Sequence, residues 1–231
     1  MVYLLLLSTI LILLFVTSQK IFSSLFYFLL KVLRSKKVSI TLLSFFFFPG
    51  VVIHELSHAL TAGILQVRVG DMEFSPVLHE DRLKMGSVRI AQTDPFRRFL
   101  IGVAPLVIGS GVLTLILYYF TQWVSFETLL DSTKNLIIFI LSLYSVFVIT
   151  NTMFSSKKDM EGAFGLGIFL VFLLTVIFVA GRGDWIIEGL NHLLQNERVQ
   201  KIIREMVLLL SIPLTTNILF VSVVFLLRKE T

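Results

Sequence analysis

Apolar residues run along this chain in blocks longer than a buried strand or an ordinary surface helix uses, and polar residues collect between them. Crossing a hydrocarbon core ~30 Å thick takes about 20 apolar residues at ~1.5 Å rise each. Six blocks reach or approach that length, at roughly 2 to 19, 40 to 66, 98 to 122, 134 to 154, 160 to 180 and 206 to 227. A further apolar stretch from Ile21 to Leu33 is bounded by Lys20 and by Lys31, Arg34, Lys36 and Lys37. It is too short to cross, so the pattern predicts a basic helix at the interface, its apolar face in lipid and its lysines among headgroups. Between 181 and 205, Trp185, Ile186, Leu190, Leu193 and Leu194 recur near helical spacing among Glu188, Glu197 and Arg198, which predicts an amphipathic helix lying on the membrane. Between the second and third blocks, DMEFSPVL and LKMGSVRIAQ flank a polar HEDR, and Leu83, Met85, Val88 and Ile90 follow a two-residue alternation within each part of the second arm. That predicts a β-hairpin within 67 to 92.

The expected fold is an all-α polytopic membrane protein of about six transmembrane helices, with a small membrane-associated β-hairpin after the second. Three parts follow: 1–39, an N-terminal anchor and basic interfacial helix; 40–165, a core carrying the hairpin and the candidate chemistry; and 166–231, the remaining helices with the amphipathic segment. Small residues at Gly102, Ala104, Gly109 and Gly111, and again at Gly162, Ala163, Gly165 and Gly167, predict close backbone packing between helices.

Composition sharpens this. The 231 residues are 56% hydrophobic and only 15% charged, with a mean hydropathy of +0.90, too few charges to cover a water-facing surface. A disordered or collagen-like chain is excluded, and with no cysteine so are disulfides and thiolate chemistry, so any metal must be held by histidine and carboxylate. The net charge of +5 sits beside apolar segments rather than along a soluble face, so anionic lipid headgroups, not nucleic acid, are the expected partner. The N-terminus has neither a basic n-region nor a small-residue cleavage site and is expected to stay as an anchor. With six spans the Lys and Arg residues divide ten and ten between the two sides, so charge does not set orientation.

The second block contains VVIHELSHAL. His54 and His58 lie four apart, so on a helix both rings project from one face and can hold one ion. Glu55, a step around the helix, is placed to take a proton from a water at the metal's open position. Two histidines and a glutamate among Phe, Val, Ile and Leu cost several kcal/mol to insert unless something pairs with them, and a divalent cation does so; polar partners on neighbouring helices are the bland alternative. Pro49 and Gly50 precede the motif and are expected to bend or begin this part of the helix, opening space for water. A catalytic zinc takes three protein ligands. The third comes from His79, Asp159, Glu161 or His192. Asp159 is preferred because NTMFSSKKDMEG sets a polar cluster between two apolar runs, with Asn151 about two turns earlier; pairing of Asp159 with Lys157 or Lys158 at headgroup level is the alternative.

In these residues the chain resembles the site-2 proteases, a family of intramembrane zinc metalloproteases. HELSH matches the family's zinc motif; Asn151 followed eight residues later by Asp159, and then by Gly162, matches its second motif. The hairpin looks like its re-entrant β-element, and VAPLVIG at 103 to 109 looks like its Gly-Pro-containing helix start. The resemblance covers about residues 45 to 165. The family's prolines before the Asp are replaced here by Ser155, Ser156, Lys157 and Lys158, and no PDZ-type domain is inserted. The resemblance implies that His54, His58 and Asp159 bind Zn2+, that Glu55 activates water, that Asn151 helps position substrate, and that the substrate is a transmembrane segment of another membrane protein. It also implies a zinc site toward the cytosolic side, which with six spans puts the N-terminus, the 67 to 97 loop and the Arg228 to Thr231 tail there. Two rivals are a membrane zincin using Glu161 or Glu188 as third ligand, and a non-catalytic protein that holds or passes a metal. Ser110 lacks the Gly-x-Ser-Gly setting of a serine intramembrane protease.

Overall fold

The computed structural model describes residues 2–74, 77–79, 82–84, 86–123, 132–154 and 171–229. In chain order these form α1 (Val2–Leu33), α2 (Lys36–Ile64), the strands β1 (Val69–Glu73), β2 (Val77–His79), β3 (Arg82–Lys84) and β4 (Ser87–Ile90), then α3 (Pro95–Trp123) and α4 (Thr133–Met153). After these come α5 (Val171–Arg182), α6 (Gly183–Gln195) and α7 (Glu197–Lys229). Among the described residues five helices are long and apolar enough to cross a membrane: α1, α2, α3, α4 and α7. Their surfaces are inverted relative to a soluble bundle: Phe45 and Ile64 on α2 are 82% and 81% exposed, while the same helix buries His54, Glu55 and His58. Apolar side chains in such positions suit hydrocarbon rather than water.

The expected break at Lys20 is absent. α1 runs unbroken for 32 residues, about 48 Å at the ordinary rise. Its second half is held by protein rather than lying on lipid: Ile21 and Phe22 are buried against Leu43, Phe47, Val51 and Val148, with the Phe22 and Phe47 rings 4.7 Å apart. The helix ends at Arg34, whose φ of 53° lies in the left-handed region while its N–H still donates to the Leu30 carbonyl at 2.9 Å. Ser35 then opens α2 as an extended N-cap whose hydroxyl accepts from the Val38 N–H. This two-residue connection makes α1 and α2 antiparallel, and it starts α2 at Lys36, inside the expected 1–39 unit.

α7 lies along α1 in parallel. Asn217 Nδ2 donates to Thr17 Oγ1 at 3.4 Å, and Lys31 Nζ donates to the Leu227 carbonyl at 3.4 Å. Between α2 and α4 the partners also advance together, Tyr144 O–H donating to the Phe46 carbonyl and Val148 and Thr152 lying over Gly50. The end of α4 and the start of α7 therefore share the end of the bundle where α2 finishes. Against the six spans expected, the described residues contain five candidate spans. The expected span at 160 to 180 is described only from Val171, in the short apolar helix α5, and the C-terminal end of α7 stands with the basic Lys31–Lys37 turn, opposite the hairpin. The amphipathic segment also divides: α6 ends at Gln195, and residues from Glu197 belong to α7. Gly181, at φ 73°, makes the kink between α5 and α6.

The predicted hairpin forms as two antiparallel pairs. β1 pairs with β4 in the register Val69↔Ile90, Met72↔Val88 and Glu73↔Ser87, with a bulge in β1, and β2 pairs with β3. Its base is seated where Val69 and Ile90 pack on Ala62 of α2, Val67 of the α2–β1 connection and Ile101 of α3. Asp94 then caps α3, its Oδ1 accepting from the N–H groups of Phe96 and Arg97; the Arg97 N–H above all holds this carboxyl below its ordinary pKa. Pro105, expected near a helix start, lies inside α3.

Close packing marks Gly109 among the expected small residues, of which Gly162, Ala163, Gly165 and Gly167 lie outside the described residues. A Cβ on Gly109 would sit 3.2 Å from the Met153 Cβ, whereas Gly111 has open space. Gly50 is tighter still: a Cβ there would lie 2.5 Å from Thr152 Oγ1 and 2.7 Å from Val148 Cγ1. Instead of opening space for water, Pro49 and Gly50 lie within a continuous α2, and α4 occupies the gap. Gly50→Ala is expected to lower unfolding stability in detergent by about 1–3 kcal/mol through overpacking, and Gly111→Ala to change it by less than about 0.5 kcal/mol. Equal effects would show that the α2–α4 approach is not set by Gly50.

Candidate metal centre

Buried positions on α2 recur at Ser39, Leu43, Phe47, Gly50 and Val51, His54 and Glu55, Ser57 and His58, and Ala62. That three-to-four spacing is one stripe, facing α3 and α4. The HELSH residues lie on it, so the arrangement that buries the helix also carries its ionisable groups inward, where His54, Glu55 and His58 are 5%, 6% and 4% exposed.

The two imidazoles converge. Their Nε2 atoms are 3.2 Å apart and the rings are nearly perpendicular, at 84°. Two nitrogens bound at 2.0–2.1 Å to one tetrahedral zinc stand about 3.3–3.4 Å apart, so the spacing fits a shared ion. His58 Nδ1 lies 2.7 Å from the Ile101 carbonyl of α3. A carbonyl only accepts, so Nδ1 carries the proton and Nε2 keeps its lone pair. The proton between the rings then belongs to His54 Nε2, from which a metal displaces it.

Glu55 faces the hairpin. A Cβ built on Gly86, just before β4, would lie 3.0 Å from Glu55 Oε1, 2.7 Å from Val51 Cγ1 and 3.1 Å from the Glu73 carbonyl. Glycine thus lets the backbone leading into β4 approach the carboxylate of the motif. The described residues bring two imidazole nitrogens together and set the carboxylate of the same helix turn against the backbone at Gly86. No family model matches the chain, and neither a curated protein nor a solved structure matches it.

Among the described residues no group of three or more His, Asp or Glu side chains gathers to hold a metal. Asp159 and Glu161, the acids expected nearest Asn151, lie outside the described residues. His192 and Glu188 are exposed on α6, and His79 is on β2. Asn151 is completely buried on α4, its Nδ2 donating to the Phe147 carbonyl at 2.9 Å and its Oδ1 accepting from Asn217 Nδ2 at 2.7 Å. With Thr17, this pair ties α1, α4 and α7 together.

The sequence reading missed Gly86, Ile101 and Asn217. Asn217 had a visible signal as a lone amide in the apolar run of 206 to 227, but its partners lie 66 and 200 positions away. Hydrogen bonds between helices in a membrane average about 0.6 kcal/mol and reach about 1.7 kcal/mol. A double-mutant cycle of Asn151→Ala and Asn217→Ala, read by unfolding in detergent, is expected to give a coupling in that range. Additive losses would show that the pair does not hold α4 to α7.

Proposed function

We propose that this chain is an intramembrane zinc metalloprotease, a multi-pass membrane enzyme that hydrolyses peptide bonds in the transmembrane segments of other proteins. The observation that carries the reading is the buried His54–His58 pair, its nitrogens at zinc-sharing distance, on the same helix turn as a carboxylate that faces the backbone at Gly86, next to β4. His54, His58 and Asp159 hold the ion. Bound zinc supplies Lewis acidity, polarising the scissile carbonyl and bringing the pKa of water toward ~7.

The protein's own groups do the rest. Glu55 accepts a proton as the water oxygen bonds to the carbonyl carbon, then delivers it to the leaving nitrogen as the C–N bond breaks, giving a carboxylic acid and an amine. A transmembrane helix conceals its carbonyls in its own hydrogen bonds, so hydrolysis inside a bilayer requires local unwinding. β4 pairs with β1 along one edge. A substrate strand added along its other edge satisfies the released backbone groups and runs past Glu55. Asn151 contributes to substrate placement, and the resemblance puts the metal end of the bundle on the cytosolic side.

Glu55→Gln separates this reading from a metal carrier. In purified protein the variant is expected to keep its zinc by metal analysis and to lose about 10²–10⁴-fold or more in cleavage of a transmembrane peptide; a variant that cleaves normally removes the protease reading. Asp159→Ala is expected to lose zinc, and retention of the metal by this variant moves the third ligand to Glu161 or Glu188. Proline at Val88 or Ile90, in β4, is expected to abolish cleavage while zinc stays bound. Full activity in those variants would detach the hairpin from catalysis.

A further inference from the structure

We infer that Pro105 is a positioning residue for the metal site: by leaving the Ile101 carbonyl without its helical donor, it makes that oxygen the fixed acceptor that orients the His58 ring. In an α-helix the carbonyl of residue 101 accepts from the N–H of residue 105. Position 105 is proline, inside α3, and proline has no N–H. The orphaned oxygen is on a stretch of α3 where Ile101 and Ala104 are each 4% exposed and Pro105 is almost fully buried, so water does not meet its need cheaply. His58 Nδ1, at 2.7 Å, supplies the missing donor.

One interaction thereby settles two problems. The helix gains a replacement for its lost hydrogen bond, and the imidazole is locked with Nδ1 protonated and Nε2 turned toward His54. With alanine at 105, the restored backbone N–H competes for the same oxygen, and the ring loses its anchor. The arrangement rests on the metal reading only for its purpose; the hydrogen bond and the tautomer stand without it. Outer partners of histidine ligands, which fix ring orientation and basicity, typically contribute 10–100-fold to metal affinity.

The test uses the full chain in detergent with ¹⁵N-labelled histidine. In metal-stripped wild type, the His58 Nδ1 resonance is expected in the protonated, pyrrole-like range. In Pro105→Ala it is expected to move toward a tautomer mixture, with zinc affinity, titrated against a competing chelator, falling by on the order of tenfold or more. Pro213→Ala, which removes a proline within α7, is expected to leave both readings unchanged. An unprotonated His58 Nδ1 in wild type overturns the inference whether or not any variant folds. So does a Pro105→Ala protein with wild-type tautomer and affinity, or a Pro213→Ala protein that loses zinc equally. Wild type that shows the Nδ1 proton yet takes up no zinc supports the positioning and removes the zinc reading instead.

Discussion

A polar group carried into apolar surroundings must find its partner within the protein, and the arrangement of this bundle follows from that demand. α2 has little choice of orientation. Phe45 and Ile64 can face hydrocarbon, but His54, Glu55 and His58 cannot, so the helix turns them inward, His58 onto α3 and Glu55 toward the hairpin. The same rule binds Asn151 to Asn217, and draws Lys31 across to the carbonyl of Leu227, where a cation at a helix C-terminus also meets the favourable end of the helix dipole. Dispersion packing from Leu14, Leu113, Ile149 and Leu210 fills the space between these polar ties, while the ties select which helix faces which.

The hairpin shows how the two kinds of force cooperate at one place. Its base is apolar, Ile90 and Val69 resting on Ala62, Val67 and Ile101, and this seat lies beside the turn of α2 that carries His58. Its outward face is polar, with Arg89 and Asp71 3.5 Å apart but both well exposed, a pair of little energetic consequence. Between them the chain reaches Gly86, and the absence of one methyl group brings backbone to the carboxylate of Glu55. Residues 54 to 67 thus present the candidate ligands and also support the strand next to them, so the two cannot shift independently.

Spacing made the convergence of the histidines legible in the sequence: two histidines four apart on an apolar helix need only the helical repeat to be placed together, and alternation in one arm of 67 to 92 was enough to indicate strands. Topology was less legible. Hydropathy tells whether a segment is able to cross a membrane; it does not tell whether its neighbours require it to. Ile21 and Phe22 look like lipid-facing residues of an interfacial helix until Phe47 and Leu43 are seen against them. Likewise the direction of α7 is fixed by contacts between Thr17 and Asn217 and between Lys31 and Leu227, about 200 positions apart, which local pattern cannot reveal. The ligand assignment stops short for a different reason: Asp159 lies outside the described residues, so its place rests on the Asn-to-Asp spacing.

Asn151 connects the architecture to the proposed chemistry and sets a condition on it. Its Oδ1 already accepts an N–H from Asn217, and its Nδ2 already donates to Phe147. An amide oxygen has a second lone pair and an amide nitrogen a second N–H, so this side chain can meet a peptide backbone without giving up Asn217. The condition is one of access, because Asn151 is 0% exposed and a substrate has to reach it between the helices. Asn217 keeps its donations to Asn151 and to Thr17 throughout. Substrate placement by Asn151 is therefore compatible with the tie among α1, α4 and α7, and asks for no separation of the parallel α1–α7 pair.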